Sequence, residues 1–186
     1  MNSASGRKLA FTAQSLAYIA LFAATLTGGK LALSAVPNIE IVTILILAYG
    51  SVFGVFYVLP ATLIFCAVET MIYGFGTWVV SYFIYWPALG VLAAVLRALI
   101  LGVAATAFFG VLTTSVDVVF VCINQKTASV FFKYFAAKYM LGIWFYVAHI
   151  ASSVVSTLVL YSPLCRILSK IKSKTFGAAV SPTENQ

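Results

Sequence analysis

Charge is what this sequence has least of. Asp, Glu, Lys and Arg make up 8% of its 186 residues, and only eight of them fall between Leu9 and Leu164. A water-soluble fold of this size needs a charged surface, and this chain has too few charges to cover one. A bilayer removes the need, because helix exteriors then face lipid. The chain is therefore expected in the cell membrane as a multi-pass, all-α protein. The few ionisable residues left inside its apolar runs are costly there, and so carry functional information.

Other absences narrow the function. No GxxxxGK[ST] stretch is present, so the chain cannot energise anything with ATP by itself. HExxH, GxSxG and paired acidic motifs are missing, which argues against a small membrane enzyme. His149 is the single histidine, which excludes a multi-histidine metal site. Cys66, Cys122 and Cys165 are far apart in apolar settings and read as small buried residues. Neither a metal nor another cofactor is expected. The net charge of +7 sits in flanks, with Arg7 and Lys8 before the first apolar run and Arg166, Lys170, Lys172 and Lys174 after the last. Such flanks follow the positive-inside rule and do not form a nucleic-acid face. The first run shows no convincing signal-peptide cleavage site.

What is present is 63% hydrophobic residues, in runs long enough for six spans of about 20 residues. The breaks predict spans near Leu9–Thr27, Asn38–Gly50, Val55–Tyr73, Trp78–Leu96, Leu99–Ile123 and Tyr139–Leu164. The second is short, and Arg97 alone separates the fourth from the fifth. Residues 1–174 read as one membrane-embedded domain, and 175–186 as a disordered cytoplasmic tail. With both termini cytoplasmic, seven basic residues lie inside and four (Lys30, Lys126, Lys133, Lys138) outside. The connections 28–37, 74–77 and 124–138 then face outward.

Polar and aromatic residues gather toward that side. Pro37 and Asn38 suit a capped helix start, with Glu40 in its first turn. Asn38 and Glu40 either serve only that cap or also face an outer pocket. Glu69 and Asp117, acids in apolar spans, should face a cavity or tether neighbouring helices. Tyr73, Trp78, Tyr82, Tyr85 and Trp86 suit an interfacial belt or a stacking wall for a planar ligand; the last three share a helix face by spacing. Ala13, Ala17, Ala20 and Ala24 form small-xxx-small pairs, for internal packing or for docking another membrane protein.

The alanine-rich first helix, the segment Leu33-Ser34-Ala35-Val36-Pro37-Asn38-Ile39-Glu40-Ile41-Val42-Thr43, and Gly74-Phe75-Gly76 before an aromatic helix resemble the substrate-binding S components of energy-coupling factor (ECF) vitamin transporters. The resemblance covers roughly Leu9 to Leu164. It implies a six-helix receptor that captures a vitamin outside, binds a coupling membrane protein carrying two ATP-binding cassette ATPases, and topples to release its cargo. It implies docking through an AxxxA face, here Ala13 and Ala17 or Ala20 and Ala24. It places the ligand under the loop after the first helix, which makes Asn38, Glu40, Tyr73, Trp78, Tyr82, Tyr85 and Trp86 the candidate binding residues. No motif diagnostic of riboflavin, thiamin, biotin or folate is present; the resemblance leans to cobalamin, then pantothenate. The alternatives are an autonomous facilitator or channel and a small integral membrane enzyme.

Overall fold

Six helices follow one another in a computed structural model that describes residues 11–35, 41–96, 100–125 and 127–177. They are α1 (Ala13–Ala32), α2 (Val42–Phe53), α3 (Val55–Tyr73), α4 (Thr77–Leu96), α5 (Ile100–Asn124) and α6 (Phe131–Gly177). Five are long and apolar enough to cross a membrane, all but α2, and the protein is a multi-pass membrane protein. Large apolar side chains such as Leu141, Trp144 and Phe108 point outward, as lipid-facing helices require.

The short helix forms the centre. At 12 residues α2 is about 18 Å long, well under the hydrocarbon thickness of about 30 Å. Ten of its twelve residues are buried, which fits a helix apolar all round. It packs on each of the other five helices. Gly50 lets α4 come close: a Cβ there would lie 2.8 Å from the Gly90 carbonyl oxygen. A single residue separates α2 from α3. Gly54 holds φ 84°, a left-handed value that side chains resist, and Gly74 ends α3 in the same way at φ 80°.

Successive helices run in opposite directions, so the bundle has two ends. Tyr18 on α1 hydrogen-bonds Thr175 on α6 at 2.6 Å, and Lys172 donates to the Val52 carbonyl at 2.6 Å. This proximal end therefore gathers the start of α1 and the end of α6. The distal end gathers Lys30, Glu69, Thr77, Asp117 and Lys138.

Several boundaries differ from those expected. α1 starts at Ala13, because Thr12 adopts an extended backbone and caps the helix by accepting from the Ser15 N–H at 3.1 Å. It then runs through Gly28 and Gly29 to Ala32. Gly29 is no breaker here; it admits the side chains of Ile41 and Leu45 against α1. The second helix spans Val42–Phe53 instead of Asn38–Gly50. The sixth departs most, since residues 131–138 are helical where a polar connection was expected. Phe131, Phe135 and Tyr139 stack along one face and continue the helix outward, with Lys133 and Lys138 exposed beside them. At 47 residues α6 is about 70 Å long, so it projects beyond a bilayer core. Its last turn includes Thr175 and Phe176, expected in a disordered tail, because they pack on Tyr18 and Tyr57.

Candidate functional site

The distal end holds a centre built by three helices around one lysine. Lys30 lies in the last turn of α1, where a cation is favoured by the helix dipole. Its Nζ forms an ion pair with Glu69 Oε2 from α3 and donates to the Tyr82 hydroxyl from α4 at 3.2 Å. The same ammonium lies 4.9 Å from the ring centroids of both Tyr73 and Tyr82, within cation–π range. Glu69 is fully buried, while the Lys30 side chain is 28% exposed. The second Glu69 oxygen, Oε1, is buried without a hydrogen-bond partner. Sequence alone left Glu69 open between cavity and tether; it is a tether from α3 to α1 that keeps one oxygen unused.

Aromatic rings continue inward from this centre. Trp78 meets Tyr82 edge-on with centroids 4.9 Å apart, and Tyr82 meets Trp86 edge-on at 5.8 Å. Trp86 packs against Phe65 of α3 and Phe109 of α5, and Tyr85 sits 4.7 Å from Phe109. Tyr85 and Trp86 are almost wholly buried, so they back the centre and do not face the distal surface. Tyr73 is half exposed there. Of the candidate residues, Tyr73, Trp78 and Tyr82 thus come together around Lys30. Asn38 and Glu40 lie outside the described residues. Lys30, Phe65 and Phe109 were not singled out from sequence. One lysine at an apolar helix end and one acid near another could have suggested the Lys30 pair.

A second charged group lies alongside. Asp117 on α5 accepts from the Thr77 hydroxyl at the start of α4 and pairs with Lys138 on α6 at 2.5 Å. It too is an interhelical tether, though more exposed than Glu69. His149 stacks on the rings of Phe109 and Phe145. Among the described residues, no three His, Cys, Asp or Glu side chains are grouped to hold a metal ion.

Two further features frame the site. A cavity of about 230 Å³ lies between α4 and α5, with Tyr85, Leu89, Ala104 and Phe108 in its almost entirely apolar lining. On α1 the buried face is Ser15, Ile19, Phe22, Ala23 and Leu26. Ala13, Ala17, Ala20 and Ala24 occupy the opposite face and are all exposed, so they do not pack inside the bundle. Gly28 extends the same exposed stripe by one turn. Comparison with protein-family models, curated proteins and solved structures returns no match to this chain.

Proposed function

We propose that the protein is the substrate-binding S component of an ECF-type importer, capturing a vitamin-like micronutrient at its distal end and handing it to an energising module. The observation that carries this reading is the distal centre itself. A buried carboxylate, a partly exposed lysine and the aromatic side chains of Tyr73, Trp78 and Tyr82 meet at one end of an otherwise apolar bundle. A bilayer protein that only needed stability would place few such groups there, because charges near lipid are costly.

In this reading the proximal end, with Arg166, Lys170, Lys172 and Lys174, is cytoplasmic and the distal end faces outward. Six antiparallel segments then keep both termini inside, with α2 as the short buried one. The exposed alanine stripe of α1 docks the coupling membrane protein and its two ATP-binding cassette ATPases, since small residues allow close helix approach. The ligand class follows the sequence resemblance, cobalamin before pantothenate. A receptor of this kind is not an enzyme and leaves its ligand unchanged. The facilitator alternative needs an open polar path, whereas hydroxyls along α6 hydrogen-bond other helices, as in Thr106–Ser153, Thr114–Tyr146 and Ser51–Tyr161.

The test is mass spectrometry of small molecules released from the purified protein, joined to affinity capture from its native membrane. One unmodified ligand in stoichiometric amount, with ATPase subunits co-purifying, is expected. A chemically altered product, or ATP-independent flux by the chain alone in vesicles, would overturn the proposal.

A further inference from the structure

Lys30 occupies a place shaped like a binding site. Its ammonium has a carboxylate on one side, a phenol oxygen at 3.2 Å, and two tyrosine rings at 4.9 Å. These are the groups that recognise a free organic ammonium in water-poor surroundings: an opposite charge, a neutral acceptor and electron-rich ring faces. Two details set this apart from an ordinary ion pair. Glu69 is fully buried, yet its Oε1 has no hydrogen-bond partner, so the carboxylate has capacity for a further N–H. Lys30, by contrast, is partly exposed and sits in the last turn of α1, on a flexible four-carbon stem that can swing away.

We propose that Glu69, Tyr73 and Tyr82 form a binding site for a primary ammonium group, which Lys30 fills as a tethered occupant and which an ammonium on the imported molecule takes over. The proposal rests on the receptor reading and sharpens its substrate class to an amine-bearing molecule. Exchange of one ammonium for another keeps the charge of the buried site constant, so Glu69 is never left unpaired in the interior. A primary ammonium has three N–H donors, enough for both Glu69 oxygens and the Tyr82 hydroxyl. A quaternary ammonium has none and would leave Oε1 unused. Cobalamin carries amides and no primary amine, and an anionic cargo such as pantothenate is disfavoured beside Glu69, so this site points away from both ligands. Lys30, once displaced, becomes a free cation at the distal mouth.

The experiment uses the full chain in detergent with methylammonium, ethylammonium and tetramethylammonium as probes. Tryptophan fluorescence is one readout, since the ring of Trp78 contacts Tyr82. Acetylation of Lys30, quantified by peptide mass spectrometry, is the other. In Lys30→Ala, methylammonium should bind saturably and at least about tenfold tighter than to the wild type, where the tethered amine competes. Tetramethylammonium should bind at least about tenfold more weakly, and Glu69→Gln in the same background should abolish binding. In the wild type, saturating ethylammonium should raise Lys30 acetylation severalfold relative to the exposed Lys170 in the same sample, a ratio that cancels the reagent consumed by the probe amine.

Absence of saturable methylammonium binding to a folded Lys30→Ala protein would overturn the proposal. If that variant does not fold, unchanged Lys30 acetylation in the wild type overturns it instead. A co-purified neutral ligand that alkylammonium fails to displace would sink this inference and leave the receptor reading standing. Ammonium binding without any ligand or ATPase partner in the native membrane would do the reverse.

Discussion

Thr106 Oγ1 on α5 lies 2.8 Å from Ser153 Oγ on α6, and both side chains are buried between the two helices. The pair belongs to a seam of hydroxyls along one face of α6, above Ser51–Tyr161 and below Thr114–Tyr146. In lipid, such bonds substitute for the hydrophobic drive that holds soluble helices together. They are individually modest, because an unfolded chain in the membrane finds other partners.

A double-mutant cycle of Thr106→Val and Ser153→Ala should therefore give a coupling of about 0.6 kcal/mol, and no more than about 1.7 kcal/mol. Reversible unfolding in mixed micelles measures it. A coupling indistinguishable from zero would mean that this bond adds nothing to the packing of α5 on α6.

The Lys30–Glu69 pair should behave asymmetrically. Removing Lys30 leaves a fully buried carboxylate unpaired, whereas removing Glu69 leaves a lysine that is 28% exposed and can reach solvent. Lys30→Ala is expected to cost up to about 3 kcal/mol, below the range for wholly buried pairs because of that exposure. Glu69→Ala should cost less, and Lys30→Met combined with Glu69→Leu should recover most of the loss. The more exposed Asp117–Lys138 pair should contribute at most about 1 kcal/mol. Thermal unfolding of the variants at one salt concentration tests the order; a larger loss in Glu69→Ala than in Lys30→Ala would refute it.

How legible this was depends on the kind of signal. The third helix was legible as Val55 to about Tyr73, because Gly54 and Gly74 interrupt the apolar run, and both hold positive φ at the ends of the helix observed. Gly28 and Gly29 look the same in sequence, yet a neighbouring helix uses Gly29 for close approach and α1 continues. The length of α6 was hidden because Lys133 and Lys138 resemble a polar loop until their aromatic neighbours are seen to stack. The aromatic face of α4 was half legible. Spacing puts Tyr82 and Trp86 on one side, but not which of them lies nearer the surface. Pairing of Lys30 with Glu69 crosses 39 residues and depends on how α1 packs on α3, which local pattern does not encode.

The alanine stripe now carries a sharper expectation than spacing allowed. Since Ala17 and Ala20 are exposed, a bulky residue there meets lipid or detergent and not a packed core. Ala17→Leu and Ala20→Leu should leave unfolding within about 0.5 kcal/mol of wild type, as for surface substitutions away from special features. Under the proposed docking role they should still abolish co-purification with the ATPase module and reduce uptake. Preserved assembly in both variants would remove α1 from the docking surface.

The aromatic side chains of α4 divide by burial, and so should their variants. Trp86 is enclosed by Phe65, Tyr82 and Phe109, so Trp86→Ala opens a core cavity and should cost about 3–5 kcal/mol of stability. Tyr73 is half exposed and Trp78 partly so; truncating either should cost far less stability. Under the receptor reading these two and Tyr82 contact the ligand, and each truncation should weaken binding by about 1–3 kcal/mol, or roughly five- to 150-fold. Stability and affinity are thus expected to separate along one helix, with Trp86 changing the first and Trp78 the second. Unfolding curves and dissociation constants for Trp78→Ala, Tyr82→Ala and Trp86→Phe, measured in the same detergent, check this. The phenylalanine keeps most of the core volume at position 86, so its affinity should stay near wild type. Unchanged affinity in both Trp78→Ala and Tyr82→Ala would assign these rings to the membrane interface and move the ligand elsewhere.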